Sequence, residues 1–368
     1  MNLKGIKMGD IRKENSTGHD MLFTGNMRIK SSKITRFKKN TAAWVAIVVT
    51  LGIAIVVGFA GGISQVFNAI IAGGMWALLA MGLAIILGVM NVPNFAHGES
   101  FMVGSYVAYF VFTPIHNYLT EHPSRFMSAV GPFIGFIMAF IAGFVLGSLI
   151  ERLVFHPLRK RTKARWVMNA FLLTVGISFI LSYGTNLILG PNFRGIPRYW
   201  DVKPLIILGA HMPVDRIVAF LLAMISISVF WYFLKKTKTG RAIRAVSQDE
   251  IGAELVGINI DFIHTLTFGL ATALAALAGA SLLFMFQAYP TVGLKPLYFA
   301  WFVVMLVGFG NVSGAIVGGF IVAFLQTATQ QFMGIAWEDV IPTLVMMFIL
   351  IVAPSGIFGT GVRGIQEQ

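Results

Sequence analysis

The chain has 368 residues; 57% of them are hydrophobic, only 12% are charged, and the formal net charge is +13. Soluble globular proteins carry about 25% charged residues, so this chain has too little polar surface to cover a water-soluble body of its size. The same composition excludes intrinsic disorder and a soluble enzyme with one small anchor. Cysteine is absent, which excludes disulfides, thiolate metal sites and a cysteine nucleophile.

The N-terminal segment 1–42 is basic and contains no apolar run. Because it holds ten lysines and arginines, we interpret it as a cytoplasmic tail. The next segment, 43–62, is apolar and has the length of a transmembrane helix. It is too long for the apolar region of a signal peptide and lacks a clear cleavage site, so we predict an extra N-terminal transmembrane helix there.

Further apolar runs of about the length that a bilayer requires follow along the chain. They lie at 66–90, 97–113, 129–150, 168–190, 215–234, 262–288, 298–311, 313–331 and 340–354. Some of these runs are short, and two pairs are separated only by brief breaks with little charge. The sequence therefore predicts an all-α polytopic membrane protein with about 8–10 transmembrane helices, some of them broken or short.

The basic residues indicate an orientation for these helices, because short cytoplasmic loops are enriched in lysine and arginine. Ten of the 28 lie in the tail, six in the loop ending at Arg165, five in 235–261 and one at Arg363, which makes 22. Counting segments from a cytoplasmic N-terminus places all four regions in the cytoplasm. The positive charge is then explained by anionic membrane lipid, and we expect no nucleic-acid partner.

Motifs for catalysis and for energy conversion are missing from the sequence. There is no Gly-Lys-Ser/Thr phosphate loop, so any ATP must be used by a different chain. No His/Glu spacing predicts a metal site, and no constellation marks an intramembrane protease. Charged residues within the apolar runs are sparse, which argues against an ion pump. We therefore expect that the chain is not an enzyme and binds neither a metal nor a cofactor.

The most unusual segment is the break that follows the run at 66–90. Pro93 disfavours helix at the residue before it, and a new helix is expected to begin near 96–98 with Glu99 in its first turn. Such a break is tolerated in a membrane beside protein or water, so it is a candidate lining for a substrate path. The alternative is a tight cytoplasmic hairpin in which Glu99 only caps the helix.

A second break contains glycines four residues apart, at Gly310, Gly314 and Gly318. Small residues at this spacing allow close approach between membrane helices. We predict that they form a helix-packing face.

The polar segment 235–261 is the longest inner loop after the tail, and it predicts a short helix over 241–256. Gly257 suits the end of that helix, because glycine readily adopts the left-handed conformation found there. The segment is either a docking element for a partner or a helix on the lipid surface. The apolar positions of the expected helix are Ile243, Val246, Ile251 and Leu255.

Four motifs in order resemble those of the membrane permeases of ABC importers for branched-chain amino acids. The resemblance extends from about Phe67 to Gly359, so that 66–358 is expected to be the permease transmembrane domain. The motifs are MNVPNFAHGESFMVGSY at 90–106, ERLVFHPLR at 151–159, GRAIRAVSQDEIGAELVGINID at 240–261 and GFGNVSGAIVGG at 308–319.

The resemblance implies a set of partners and a location in the bacterial inner membrane. The partners are a second homologous permease subunit, two ATPase subunits that use the ATP, an extracytoplasmic substrate-binding protein and membrane lipid. It also makes the path-lining interpretation of the break the favoured one. The residues expected along the substrate path are Asn94, Phe95, His97, Gly98 and Glu99.

The resemblance further implies that 240–261 contacts the ATPase subunits. This segment departs from the family's E-A-A-x-x-x-G form, since Ile251 and Gly252 stand where an acid and an alanine are usual. The residues expected in the coupling segment are Arg241, Arg244, Glu250, Glu254, Leu255 and Gly257.

Two alternatives to a branched-chain amino acid permease stay open. Sister permeases with similar motifs carry urea or short amides. A self-contained channel or ion-coupled carrier is disfavoured, because charged groups within the predicted spans are few.

Overall fold

The computed structural model describes residues 44, 47–161, 166–196, 198–200 and 202–357. The chain divides into two units, Met1–Val48 and Val49–Gln368. The predicted tail at 1–42 lies outside the described residues, and nearly all of the described structure belongs to the second unit.

Helices account for most of the described chain, in agreement with the predicted all-α class. The first is α1 (Ile47–Gly61), which lies inside the predicted segment 43–62. The others are α2 (Ile63–Met90), α3 (His97–Glu121), α4 (Arg125–Ile150), α5 (His156–Arg161), α6 (Trp166–Leu189), α7 (Val214–Lys236), α8 (Lys238–Gln248), α9 (Glu250–Leu255), α10 (Ile260–Ser281), α11 (Leu294–Val307), α12 (Val312–Met333) and α13 (Val340–Val352).

Seven helical stretches in the described ranges are long and apolar enough to cross a membrane. The more polar α3 and the shorter apolar helices α1 and α11 fall outside that group. An α-helix rises about 1.5 Å per residue, so the 14 residues of α11 reach only about 21 Å, short of a hydrocarbon core of about 30 Å. The prediction of a polytopic membrane protein with some short helices is confirmed.

The bundle is centred on α2, which is buried along almost all of its length from Gly73 onward. It packs against α12, α10, α11 and α7. Small residues permit the closest of these approaches: a Cβ on Gly319 of α12 would lie 2.5 Å from the backbone nitrogen of Ala77. Since real Cβ atoms do not approach so closely, only glycine fits at that crossing.

The alanine-rich helix α10 packs between α3 and α4. A Cβ on Gly104 of α3 would lie 1.9 Å from the carbonyl oxygen of Ala276, and one on Gly143 of α4 would lie 2.5 Å from the Ala276 Cβ. Small side chains thus hold three helices together, as van der Waals packing does in membranes.

Two features differ from the sequence prediction. The helix predicted to end at Ile150 continues through a π-helical turn, Glu151–Phe155, into α5. A β-hairpin joins α6 to α7, with β1 (Leu205–Ile207) antiparallel to β2 (Ala210–Met212). Its two turn residues both have positive φ, as hairpin turns of this length require, although the first of them is a leucine.

Candidate functional site

The break predicted at Pro93 is present. Helix α2 ends at Met90, and Asn91 takes the left-handed conformation with φ of 53°. After Pro93, the Asn94 side-chain oxygen accepts the backbone N–H of Ala96 at 3.0 Å. Proline removes a donor and excludes a continuous helix, while asparagine provides the local turn from which α3 begins.

The start of α3 lies against the middle of α2. Its first residue, His97, is fully buried and has Nε2 3.1 Å from the Leu79 carbonyl oxygen. Leu79 precedes the end of α2 at Met90 by 11 residues, which corresponds to about 16 Å of helix. The chain therefore turns back into the bundle, a geometry that favours the broken-helix interpretation over a hairpin at the surface.

A second backbone approaches this point from α11. A Cβ on Gly98 would lie 2.6 Å from the carbonyl oxygen of Gly293, the residue that precedes α11. The N-terminal ends of α3 and α11 thus meet inside the bundle. Each helix start has unpaired N–H groups and a partial positive charge, so the meeting point favours polar or anionic groups.

The carboxyl group of Glu99 lies in the first turn of α3 and is nearly inaccessible to solvent. Its Oε1 atom accepts hydrogen bonds from the hydroxyls of Ser178, at 2.6 Å, and Ser182, at 3.1 Å, both on α6. These serines were not predicted as site residues. With Thr174 they recur every four residues, which places all three on one face of a helix.

The third member of this face, Thr174, contacts the irregular backbone between α2 and α3. Its hydroxyl oxygen accepts the backbone N–H of Phe95 at 3.2 Å, and the hydroxyl proton lies between two acceptors, the carbonyls of Phe171 at 2.8 Å and Pro93 at 3.3 Å. The Phe95 ring packs between Phe171 and Trp301, at centroid distances of 5.5 and 5.4 Å. Aromatic packing and two polar contacts therefore hold the irregular backbone in place.

Several buried polar atoms near the start of α3 have no hydrogen-bond partner in the described part of the chain. An unsatisfied buried polar group costs about 1–3 kcal/mol, so a cluster of them indicates a place where water or a polar ligand completes the contacts. The atoms are Asn94 Nδ2, His97 Nδ1, Glu99 Oε2 and Ser100 Oγ.

The polar segment after α7 contains two helices, α8 and α9, and the prediction of a single helix over 241–256 was wrong. Asp249 separates them with an extended backbone, φ −156°, and its side chain accepts the N–H of Gly252 at 3.0 Å. Aspartate is a preferred N-cap residue, so it begins a new helix instead of continuing the old one.

The apolar residues of the coupling segment divide into two groups. Ile243 and Val246 of α8 are buried in the core of the protein. In contrast, Ile251 and Leu255 of α9 are 72% and 83% exposed. The segment ends at Gly257, whose φ of 86° agrees with the predicted stop. The remaining residues expected at this site lie as follows: Arg241, Arg244 and Glu254 are exposed, and Glu250 begins α9.

An ion-pair network lies directly beside this segment. Buried Glu151 is 3.0 Å from the Arg159 guanidinium, which is also 3.1 Å from Asp261 at the start of α10. The second oxygen of Glu151 accepts the Thr265 hydroxyl at 2.6 Å. The network fastens the C-terminal end of α4 and the short helix α5 to the N-terminal part of α10. The sequence motif at 151–159 contains both Glu151 and Arg159, but a motif alone does not indicate which side chains contact one another.

Glu250, an acid of the coupling segment, lies close to the same part of α10 as the ion-pair network. The Glu250 carboxylate lies 4.0 Å from Nε2 of His264, a fully buried residue of α10. Partial burial raises the pKa of the Glu250 carboxyl above its usual value, while the neighbouring Arg159 guanidinium acts in the opposite direction.

The three glycines of the second break have different surroundings. Gly314 and Gly318 lie on α12 and face Val307 of α11. Gly310 instead precedes that helix, in a turn with φ of 74°, and a Cβ there would lie 3.0 Å from the Cα of Gly88. All three allow close packing, but within one chain and not along a single helix. In the described ranges, no group of three or more His, Asp or Glu side chains is placed to hold a metal ion.

Comparisons with known proteins agree with these features. Residues 65–350 match a family model described as "Branched-chain amino acid transport system / permease component". The high-affinity branched-chain amino acid transport system permease protein LivH of Salmonella typhimurium is 28% identical over 302 residues, covering 81% of this chain and 95% of its own length.

Two further relatives have similar coverage. The permease protein BraD of Pseudomonas aeruginosa is 27% identical, over 81% of this chain and 95% of its own length. A probable branched-chain amino acid transport permease protein LivH of Methanocaldococcus jannaschii is 26% identical, over 79% of this chain and 91% of its own length. Since the family match covers most of the helical bundle, the chain belongs to the family of branched-chain amino acid transport system permease components.

Proposed function

We propose that this protein is the membrane permease subunit of an ATP-driven importer that moves branched-chain amino acids delivered by an extracytoplasmic binding protein. We base the proposal chiefly on the family match, which covers residues 65–350 and therefore almost the whole described bundle. The relatives that share this length are themselves named as permeases for branched-chain amino acids.

In this proposal the substrate path passes the break between α2 and α3. The residues expected there, from Asn94 to Glu99, surround the meeting point of two helix N-termini. Those positive helix ends suit the carboxylate of an amino acid, and broken helices serve this purpose in other transporters. Of the unsatisfied polar atoms, Asn94 Nδ2 can donate to that carboxylate, whereas His97 Nδ1 and Glu99 Oε2 can accept from the ammonium group of the substrate.

Energy enters through α8 and α9, by contact with two ATPase subunits that bind the ATP. The exposed side chains of Ile251 and Leu255 supply an apolar contact surface on an otherwise polar segment. A partner that covers them gains about 25 cal/mol per Å² of apolar area removed from water. The Glu250 carboxylate of α9, 4.0 Å from Nε2 of His264, connects this segment to α10, which packs directly on α3.

The remaining parts of the proposal concern location and assembly. The protein resides in the bacterial inner membrane with a cytoplasmic N-terminus, pairs with a second homologous permease subunit and contacts anionic lipid through its basic loops. We also propose that the basic tail ends at residue 42, that the extra N-terminal transmembrane helix ends at residue 62, and that the permease domain follows it. The chain itself binds no cofactor and no nucleic acid.

Uptake competition tests the substrate. Cells with and without this chain are given labelled leucine together with unlabelled leucine, isoleucine, valine or urea. We expect uptake that depends on the chain and on both ATPase subunits, and that the three amino acids inhibit while urea does not. Uptake of labelled urea, but not of labelled leucine, that depends on the chain would favour the amide permease, and leucine uptake without ATPase subunits would favour a self-contained carrier.

A further inference from the structure

A cavity of about 330 Å³ lies apart from the break, between the N-terminal part of α2, the beginnings of α7 and α11, and the end of α12. In the proposed topology these helix ends lie on the outer side of the membrane. The volume falls within the range of about 300–1,000 Å³ that is typical of small-molecule sites. We propose that this cavity is a binding site for a zwitterionic α-amino acid with an aliphatic side chain. This rests on the proposed transport function.

The cavity contains a cation whose charge is not neutralised by an acid. Arg216, at the start of α7, donates a hydrogen bond of 2.6 Å to the amide oxygen of Asn68. Among the described residues no carboxylate lies within 4.0 Å of its guanidinium. The neighbouring acid, Asp215, instead accepts the backbone N–H groups of Tyr199 and Trp200.

A half-buried guanidinium with only a neutral partner is suited to a ligand carboxylate. The planar guanidinium presents parallel N–H groups that match the two oxygens of a carboxylate, and such charge-assisted hydrogen bonds are about twice as strong as neutral ones. The amide of Asn68 holds the guanidinium in place without cancelling its charge.

The cavity also contains an acid that can attract the ammonium group of an amino acid. Glu338, a mostly buried carboxylate that also lines the cavity, accepts from Lys295 at one oxygen and from Gln330 at the other. Because Asp339 also lies 3.7 Å from Lys295, two carboxylates share one ammonium, and this group keeps one negative charge that attracts a ligand ammonium. The cavity therefore has an arginine without an acid on one side and a surplus negative charge at Glu338 on the other.

The apolar wall consists of side chains from α2 and from the segment before α11. Met75, Trp76 and Phe286 line the cavity, and the Trp76 indole is fixed by a 3.1 Å hydrogen bond to Gln326 and by stacking on Phe299. A rigid aromatic and aliphatic surface of this kind accommodates a branched hydrocarbon side chain, while polar lining residues such as Gln65 and Thr327 lie elsewhere in the same cavity.

The experiment measures binding of labelled leucine and alanine to the purified transporter, assembled with its partner subunits but without the binding protein. Arg216→Gln is expected to weaken leucine binding roughly tenfold or more, as loss of a charged hydrogen bond does. Arg216→Lys should retain part of the affinity. The matched control is Arg125→Gln, which removes an exposed arginine from the same end of the bundle and should change nothing.

A second variant tests the apolar wall without altering charge. Ala72 lines the cavity, and Ala72→Leu reduces its volume. We expect leucine binding to fall several-fold more than alanine binding, a selectivity change that general destabilisation does not produce. Normal leucine binding by Arg216→Gln, or equal losses for both amino acids in Ala72→Leu, would overturn the site while leaving the transport function intact. If the unaltered transporter imports leucine but does not bind it in this assay, the site alone is overturned; if it does not import leucine at all, the transport function is overturned as well.

Discussion

Gly98 and Gly293 touch through their backbones: a Cβ built on Gly293 would lie only 1.9 Å from the carbonyl oxygen of Gly98. The two glycines are separated by almost two hundred residues, yet they bring the first turns of α3 and α11 together inside the bundle. No side chain fits between them. The position of the proposed substrate path therefore depends on the absence of two Cβ atoms.

The first prediction follows from this contact. Gly293→Ala forces the two helix starts apart, and overpacking of this kind costs about 1–3 kcal/mol, or more where backbone must move. We expect a lower thermal unfolding temperature in detergent and loss of leucine uptake. Gly184→Ala on α6 is the matched control, because nothing lies within 4 Å of its added methyl group. Equal stability and uptake in the two variants would contradict the close contact.

The second prediction concerns Glu99. Its carboxyl receives hydroxyls from Ser178 and Ser182, and a hydrogen bond to a charged group contributes about 1.5–3 kcal/mol. Ser178→Ala should reduce uptake more than Ser182→Ala, because the Ser178 contact is the shorter one. Thr185→Ala, one turn further along α6, serves as the control. Uptake rates are compared at equal amounts of protein in the membrane, and a reversed order would show that these contacts do not set the Glu99 geometry.

The third prediction concerns the ion-pair network. Glu151 is fully buried, and removing one partner of a buried ion pair costs about 3–5 kcal/mol because the other charge is left uncompensated. Arg159→Met should therefore destabilise the protein strongly. The double variant Glu151→Gln with Arg159→Met should regain part of this loss, since no buried charge then remains. Both are measured by thermal unfolding in detergent.

The control for this network is Lys160→Met. The Lys160 side chain is 66% exposed and only approaches Asp261, at 4.0 Å, so its removal should change the unfolding temperature little. A double variant that is no more stable than Arg159→Met alone would show that Glu151 and Arg159 do not act as a pair.

The sequence was sufficient to predict the parts of this fold that depend on local pattern. Apolar runs of membrane length, the break at Pro93 and the helix stop at Gly257 each depend on residues adjacent in the chain. The split at Asp249 was also local, but its capping role was overlooked within an otherwise helical pattern. The turn of the β-hairpin lacked the usual Asn-Gly signal, because Leu208 takes the left-handed position there.

The contacts that complete the candidate site join residues far apart in the chain, so local sequence patterns do not predict them. Glu151 meets Thr265 across 114 residues, and Glu99 meets Ser178 across 79. Pairing of that kind is decided by how whole helices pack, and a single sequence does not record it. The spacing of hydroxyls on α6 was visible, but a serine on an apolar helix has many possible partners.

The fourth prediction concerns orientation. The chain contains no cysteine, so single cysteines can be introduced and labelled without altering a native one. Ile206→Cys in the hairpin should react with an impermeant thiol reagent in intact cells, because 67% of that side chain is exposed and we place it outside. Ser247→Cys in α8 should react only after the membrane is opened. The reverse pattern would overturn both the orientation and the proposed ATPase contact.

The fifth prediction concerns the coupling segment. Ile243 and Leu255 are of equal size, but one is buried and the other exposed, so truncating each of them distinguishes a role in folding from a role in docking. Ile243 is only 1% exposed, so Ile243→Ala should destabilise the protein itself by about 2–5 kcal/mol. Leu255 is 83% exposed, and Leu255→Ala should leave the unfolding temperature of the isolated permease unchanged. In the assembled transporter, however, Leu255→Ala should weaken ATPase binding, because it removes an apolar contact from the docking surface.

Gly257 tests whether this segment must be rigid to act. Its φ of 86° is strained for a β-branched side chain, so Gly257→Val should stop uptake and abolish the stimulation of ATP hydrolysis by loaded binding protein. Gly257→Asn is the matched control, because asparagine tolerates left-handed conformations and should retain most of the activity. Stimulation is measured on the purified transporter in lipid vesicles. If the valine variant and Leu255→Ala both assemble, respond to binding protein and import leucine normally, the exposed face of α9 lies on the lipid surface and ATPase coupling occurs elsewhere in the chain.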